Sequence, residues 1–475
     1  MSANPPAGGW GELFAPRYIS VTLILCLGVA LFSFNAFLTS TALPTAVEHL
    51  GGVALISWAL TLYLVFAIMG GAGAALLKQK LGSRTALLAS SAVFFVGTLI
   101  AANASTMTEV LIGRSFQGLG EGIVAAICFA LIPELFPSRL VPKVFGMQAV
   151  IWAVAGFGGP VGAGLLTELV SWRAAFLVNV PLVLIFATLV MFVVPRKSPE
   201  SAEPHGFPGL RLLTIGAGIM LVAVAGIATP MEAAGLLVAA AALLVGTVWL
   251  DRRSRTRIMP QGAFWPTTAV GSGLIVALLM PVAGATSAVY LVMLVQQLWG
   301  YGPTLAGGIG AVMALAWSAS SITVANVRRR ETRKILIMTG PALVSVGLLG
   351  VLTGILTTQL PTVLIAQVAI GAGFGMSNGY LSLTLMENSS DADRDRTSAL
   401  IPTTQSAGNA IGAALAGVAA NSAGYAVATT DDQVHSAIIP VFVVGAAVAA
   451  LAFLAAVQTT RKIAPHDPQS AFAAG

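Results

Sequence analysis

Charge is what this sequence most lacks. Aspartate, glutamate, lysine and arginine make up 9% of its 475 residues, where a water-soluble chain carries about 25%. With 57% hydrophobic residues and a mean hydropathy of +0.89, too few polar groups exist to cover a surface, which excludes a water-soluble monomer. Cysteine is scarce as well. Cys26 and Cys128 are the whole complement and both fall in apolar runs, so no disulfide framework or thiolate metal site is implied. The four histidines, three in loops or tails, form no metal constellation. A G-x-x-x-x-G-K-[ST] loop is missing, which removes the usual sign of ATP drive. No cofactor and no enzyme chemistry are implied. The net charge of +6 is dispersed among short loops, which argues for membrane topology over a nucleic-acid partner.

What the sequence has in abundance is apolar runs. Stretches of about 20 residues recur, each long enough to cross ~30 Å of hydrocarbon. Fourteen spans are predicted, from 18–42 to 436–459, with the seventh and eighth near 210–228 and 231–250. The run after Tyr18 reads as a retained signal anchor. With both termini on the cytoplasmic side of a cell (inner) membrane, Arg173 alone of the 24 basic residues lies outside and Arg114 alone lies mid-span. A wrong count would scramble that segregation, so the positive-inside rule supports fourteen.

A shift of 253 residues lays "LIGRSFQGLGEG" (111–122) on "LIAQVAIGAGFG" (364–375). Gly118, Gly120 and Gly122 then meet Gly371, Gly373 and Gly375, and Glu134 meets Glu387. Two homologous helix bundles flanking a pathway form a transporter architecture. The expected domains are 1–195, a six-helix bundle; 196–266, linkers with two extra spans; and 267–475, a second six-helix bundle with a short tail.

The fourth span carries Arg114-x-x-Gln117-Gly118-x-Gly120, and the fifth carries "GGPVGAG" with Gly159, Pro160 and Gly164. "SWRAAFLVNVP" (171–181) enters the sixth span and "LWGYGPTLAGG" (298–308) precedes the tenth. Together these resemble the major facilitator superfamily, in its 14-span drug:proton antiporter branch, over nearly the whole chain. The resemblance implies an all-α polytopic membrane protein, with two six-helix bundles and two additional transmembrane helices between them. It also implies proton-coupled efflux of amphiphilic small molecules by alternating access. Two departures stand out. The loop after span two keeps Gly82 and Arg84 but has Gln79 where relatives hold an acid, which questions its interlock with neighbouring helix ends. Asn35 stands near the place of a first-span acid.

With those acids gone, Glu121 is the one carboxylate placed deep in a span. Glu121 and Arg114 each cost about 2.5–3.5 kcal/mol on insertion scales. A carboxylate desolvated in one conformation and hydrated in another can carry a proton through a cycle. Arg114 shares its helix face at about 10.5 Å along the axis, within range of coupling through Gln117, a water or the substrate. Glu121 and Arg114 are therefore the proton-coupling candidates, with Arg114 expected to line the cavity. The competing reading is architectural, an arginine that fixes packing and an acid that stays protonated. Asn35, Gln117, Gln148, Trp152, Gln297, Asn378 and Gln405 are expected at a largely apolar substrate cavity. Gly82, Arg84, Gly118, Gly120, Gly159, Pro160 and Gly164 are expected in gating and close packing. The expected partners are a small molecule, protons and the bilayer, with the protein a monomer. An importer of the same fold, and a non-transporting scaffold or lipid-handling protein, are the alternatives.

Overall fold

The computed structural model describes residues 9–51, 56–195, 208–225, 228–254, 257–301 and 303–463. The chain runs through α1 (Ile19–Leu50), α2 (Ile56–Leu81), α3 (Ser83–Ala102), α4 (Met107–Leu135) and α5 (Val141–Leu169). Next come α6 (Trp172–Leu177) and α7 (Asn179–Val193), which together form one span. Two further helices follow, α8 (Gly209–Ala225) and α9 (Pro230–Arg253). The remainder is α10 (Ala269–Trp299), α11 (Pro303–Val324), α12 (Arg330–Leu356), α13 (Leu360–Glu387), α14 (Arg394–Ser422) and α15 (Asp431–Lys462). The linker residues 196–207 and the tails 1–8 and 464–475 lie outside the described residues.

Helices α1–α7 pack as one bundle and α10–α15 as a second. The hairpin α8–α9 leans on α2 of the first and α14 of the second, as two additional helices between two six-helix bundles. Among the described residues, ten helices are long and apolar enough to cross a membrane. Shorter apolar stretches mark Ile19–Asn35, Val141–Gly156 and Gly209–Ala225. The remaining long helix, α14, is the polar one, because it carries Gln405, Ser406 and Asn409 toward a cavity.

Glycine sets how close the helices come. A methyl group on Gly118, Gly120 or Gly122 of α4 would collide with the backbone carbonyls of Tyr63, Ser90 and Ala67 respectively. On Gly371, Gly373 or Gly375 of α13 it would meet those of Met313, Gly340 and Trp317. The contacted residues are related by a constant shift of 250 (63 to 313, 90 to 340, 67 to 317). The internal repeat is thus a repeat of packing as well as of sequence: α4 against α2 and α3 is rebuilt as α13 against α11 and α12.

One end of the molecule gathers the basic residues. There Gly82, at φ 75°, turns α2 directly into α3, and Arg84 donates to the carbonyl of Val194 at 2.5 Å. The two bundles are sealed together at this end. Ser318 of α11 donates to the carbonyl of Ala149 in α5 at 2.6 Å. Thr403 of α14 fills the space beside Gly71 of α2. Lys78 of α2 binds Glu134 of α4 and, at 2.8 Å, Asp395 of α14. The loop does therefore interlock with its neighbours despite Gln79, with a lysine in place of an acid.

The opposite ends of α5 and α11 are uncovered. A methyl group on Gly158, Gly162, Gly164, Gly307 or Gly308 would touch nothing within 4 Å among the described residues. Gly164 therefore makes no close helix contact with the described residues in this conformation. Gly159 is buried, and the side chain of Pro160 lies outside the described residues.

Candidate functional site

Three side chains of the arginine-bearing helix point inward. Arg114 and Gln117 are fully buried and Glu121 is 1% exposed. Spacings of three, four and seven residues put all three on one helix face, turned toward α1, α2 and α3. The Nη1 atom of Arg114 donates to Gln117 Oε1 at 2.8 Å, and to Asn35 Oδ1 and Thr39 Oγ1 at 3.3 Å each. Its Nε reaches the carbonyl of Ala59 at 3.4 Å. The guanidinium carbon sits 4.0 Å from the centroid of the Tyr63 ring, a cation–π geometry. Gln117 passes the chain on to Thr98 at 2.9 Å.

Asn35 is the hinge of this cluster. Its oxygen accepts from Arg114, and from Thr39 and Asn179 at 3.4 Å each. An amide oxygen so occupied leaves the nitrogen to face the other way, and Nδ2 donates to Glu121 Oε2 at 3.1 Å. The link between Arg114 and Glu121 therefore runs through Asn35, rather than through the Gln117 route expected from spacing. Among the described residues Arg114 Nη2 and Asn179 Oδ1 have no hydrogen-bond partner, and the Tyr63 hydroxyl faces the Glu121 carboxylate without closing to a full bond. Unpaired buried atoms cost about 1–3 kcal/mol each, so the cluster has unused bonding capacity.

A cavity of about 240 Å³ lies beside the cluster on the seam between the bundles. Gln148, Trp152, Asn378 and Gln405, four of the residues expected at a substrate cavity, are among those lining it. Gln405 donates to Asn378 at 2.7 Å, while the Gln148 amide nitrogen has no partner among the described residues. Aromatic rings make much of the wall, with Trp317 stacked on Phe374 at 4.9 Å. No Asp, Glu, Lys or Arg is among its lining residues.

Four residues expected at the cavity are elsewhere. Asn35 and Gln117 belong to the buried cluster, and Arg114 does not reach the cavity wall because α1, α2 and α4 enclose it. Gln297 is exposed near the far end of α10, where Tyr425 donates to it at 2.8 Å. What separates cluster from cavity is Phe32. Its ring meets Trp152 edge-on at 5.4 Å and stacks on Tyr63 at 6.3 Å. Ala125, one turn beyond Glu121, is already on the cavity. Thr39, Thr98 and Asn179 completed the cluster without having been singled out. Thr98 and Asn179 are lone polar residues in apolar runs, which is a signal the sequence offers; Thr39 is hidden among its polar neighbours Ser40 and Thr41.

Two helical bundles that share a repeated packing, meet at one end and enclose a cavity on their seam define a membrane transporter. The family model of the Major Facilitator Superfamily matches residues 25–413, and the chain belongs to that family. A probable multidrug-efflux transporter of Mycobacterium tuberculosis is 30% identical over 434 residues, covering 88% of this chain and 90% of the relative. Among solved structures, the human organic anion transporter MFSD10 superposes with a TM-score of 0.66 at 14% identity, covering 93% of this chain and 99% of that one. The proton:xylose symporter XylE gives 0.64 at 17%, covering 92% and 94%. At these identities the two structures establish the fold alone. The chain is a multi-pass membrane transporter of small molecules, in a family of transporters rather than enzymes.

Proposed function

We propose that the protein exports neutral amphiphilic small molecules in exchange for protons, by alternating access of residues 1–195 and 267–475 around the central cavity. Residues 196–266 tether the two bundles. The chain works as a monomer in the cell (inner) membrane, with both termini and the basic end in the cytoplasm, as loop charge favours. Export is supported by the multidrug-efflux relative of M. tuberculosis.

The observation that carries this reading is the placement of Glu121. It is buried one turn behind a cavity with no charged lining, and Asn35 ties it to Arg114. Glu121 Oε1 accepts no closed hydrogen bond among the described residues, and the nearby Tyr63 hydroxyl can turn to accept from the acid once a proton settles there. A shift of Phe32 or Tyr63 opens a path from cavity to carboxylate. Arg114 favours the charged acid, and loss of its bond to Asn35 favours the protonated one. The uncharged aromatic cavity suits a neutral amphiphile, since a cation there would have no counter-charge. Gly82, Arg84, Gly118 and Gly120 hold the helices that rock, while Gly159, Pro160 and Gly164 form the gating segment at the end of α5 that closes in the opposite state.

The test is flux of a neutral amphiphilic dye in inside-out vesicles carrying an imposed pH gradient. Glu121→Gln should abolish gradient-driven accumulation while leaving dye exchange at equilibrium. Undiminished accumulation by Glu121→Gln would overturn the coupling role, and accumulation in the reverse sense would overturn export.

A further inference from the structure

A second cavity, of about 760 Å³, lies at the basic end, away from the transport path. Its walls are the C-terminal turn of α9, the segment 257–268, the α13–α14 turn and the end of α15. That segment is pinned on several sides. The amides of Ile258 and Met259 donate to Asp251 at 2.9 Å each, and the amide of Gln261 donates to Asp393 at 2.9 Å. Gly262 and Phe264 hold positive φ values of 77° and 56°. Gly271 leaves no room for a side chain against the backbone of Gly262 and Trp265. A left-handed phenylalanine persists only where its surroundings over-determine it, so this wall is preformed.

The charges around the cavity do not cancel. Its two acids are already engaged: Asp251 by Arg211 and the two amides, Asp393 by Gln261 and by Arg396 at 2.8 Å. Its three cations have no counter-anion among the described residues. Arg252 spends Nη2 on the carbonyl of Ala263 at 2.9 Å and lies over the Trp265 ring at 4.5 Å, while its buried Nε is unpaired. Lys462 reaches only the carbonyl of Pro266, at 3.2 Å, and Arg257 has no ion pair among the described residues. Guanidinium groups beside an ammonium recognise phosphate oxygens, and basic pockets at this depth receive anionic headgroups.

We infer that this cavity binds a phosphate ester anion, held by Arg252, Arg257 and Lys462 against the face of Trp265. Lipid and soluble sources share that chemistry. The assay uses the purified, delipidated full chain and native mass spectrometry. Its probes are phosphatidylglycerol and, separately, glycerol 3-phosphate, with phosphatidylcholine as the reference lipid. One saturable adduct is expected, and about thirtyfold weaker binding to Arg257→Gln/Lys462→Gln, at ~1 kcal/mol for each charge removed. Saturable binding of phosphatidylglycerol alone identifies the headgroup as the source, whereas binding of glycerol 3-phosphate identifies a soluble one. On the unaltered protein, the bound anion should also shield Lys462 from amine acylation, a readout independent of how the double variant folds. Equal binding to both proteins, or unchanged Lys462 acylation at saturating probe, would overturn the assignment.

Discussion

The side-chain amide of Asn35 donates to Glu121 across 3.1 Å because its oxygen is already committed to Arg114 at 3.3 Å. One neutral residue thus fixes the relation between two charged groups on another helix. Replacing it with alanine removes a partner from both at once. Asn35→Ala should lower stability in detergent by about 1–3 kcal/mol. In a cycle with Glu121→Gln the two losses should be non-additive by about 0.5–3 kcal/mol. Thermal unfolding of the four proteins measures both quantities, and strict additivity would show that the bond carries no coupling.

Closure of the basic end rests in part on Lys78. Its link to Asp395 joins a side chain 7% exposed to one 42% exposed, and such a pair contributes roughly 1 kcal/mol. Lys78→Gln should shift the balance toward separation at that end by about fivefold. Spin labels at Ser138 and Asp391, one on each bundle, report the change as a longer-distance population. An unaltered distance distribution would show that other contacts hold the seam.

Glycine positions divide into two kinds. Gly122→Ala must push its methyl group into the carbonyl of Ala67, and overpacking of this sort costs about 1–3 kcal/mol. Gly162→Ala meets nothing within 4 Å among the described residues and should leave unfolding temperature unchanged while slowing the transport cycle. Thermal scans and flux assays on the pair separate the two effects.

Charge selection at the cavity follows from its lining. Asn378→Asp introduces an acid where none lies, and attraction of a nearby cation at an effective dielectric of about 20 amounts to a few kcal/mol before desolvation. The variant should favour a cationic dye over its neutral analogue by at least about tenfold relative to the unaltered protein. Competition binding with the matched dyes measures the ratio.

Much of this architecture is legible in the residues. Apolar run length and loop charge foretell the helices, and the glycines of 118–122 and 371–375 foretell which helices repeat. Arg114 and Glu121 mark the cluster because each is expensive in a membrane. The bridging role of Asn35 was hidden, since its partners lie 79 and 86 residues away in sequence and no helical spacing encodes a neighbour on another helix. Gln297 misled for a related reason. A polar residue in an apolar run announces neither its face nor its depth, and this one sits near a helix end. The 257–268 wall was equally unreadable: its shape depends on Phe264 adopting a backbone conformation that its side chain disfavours.

Lys78 also has a partner in its own bundle. On the proposed alternating cycle Asp395 leaves as the halves part but Glu134 stays, so the ammonium is not stranded in a poorly hydrated place. Isolating a buried ion costs about 3–5 kcal/mol, and this arrangement spares the protein that barrier at every turnover. The clasp can open quickly because the lysine always has somewhere to rest.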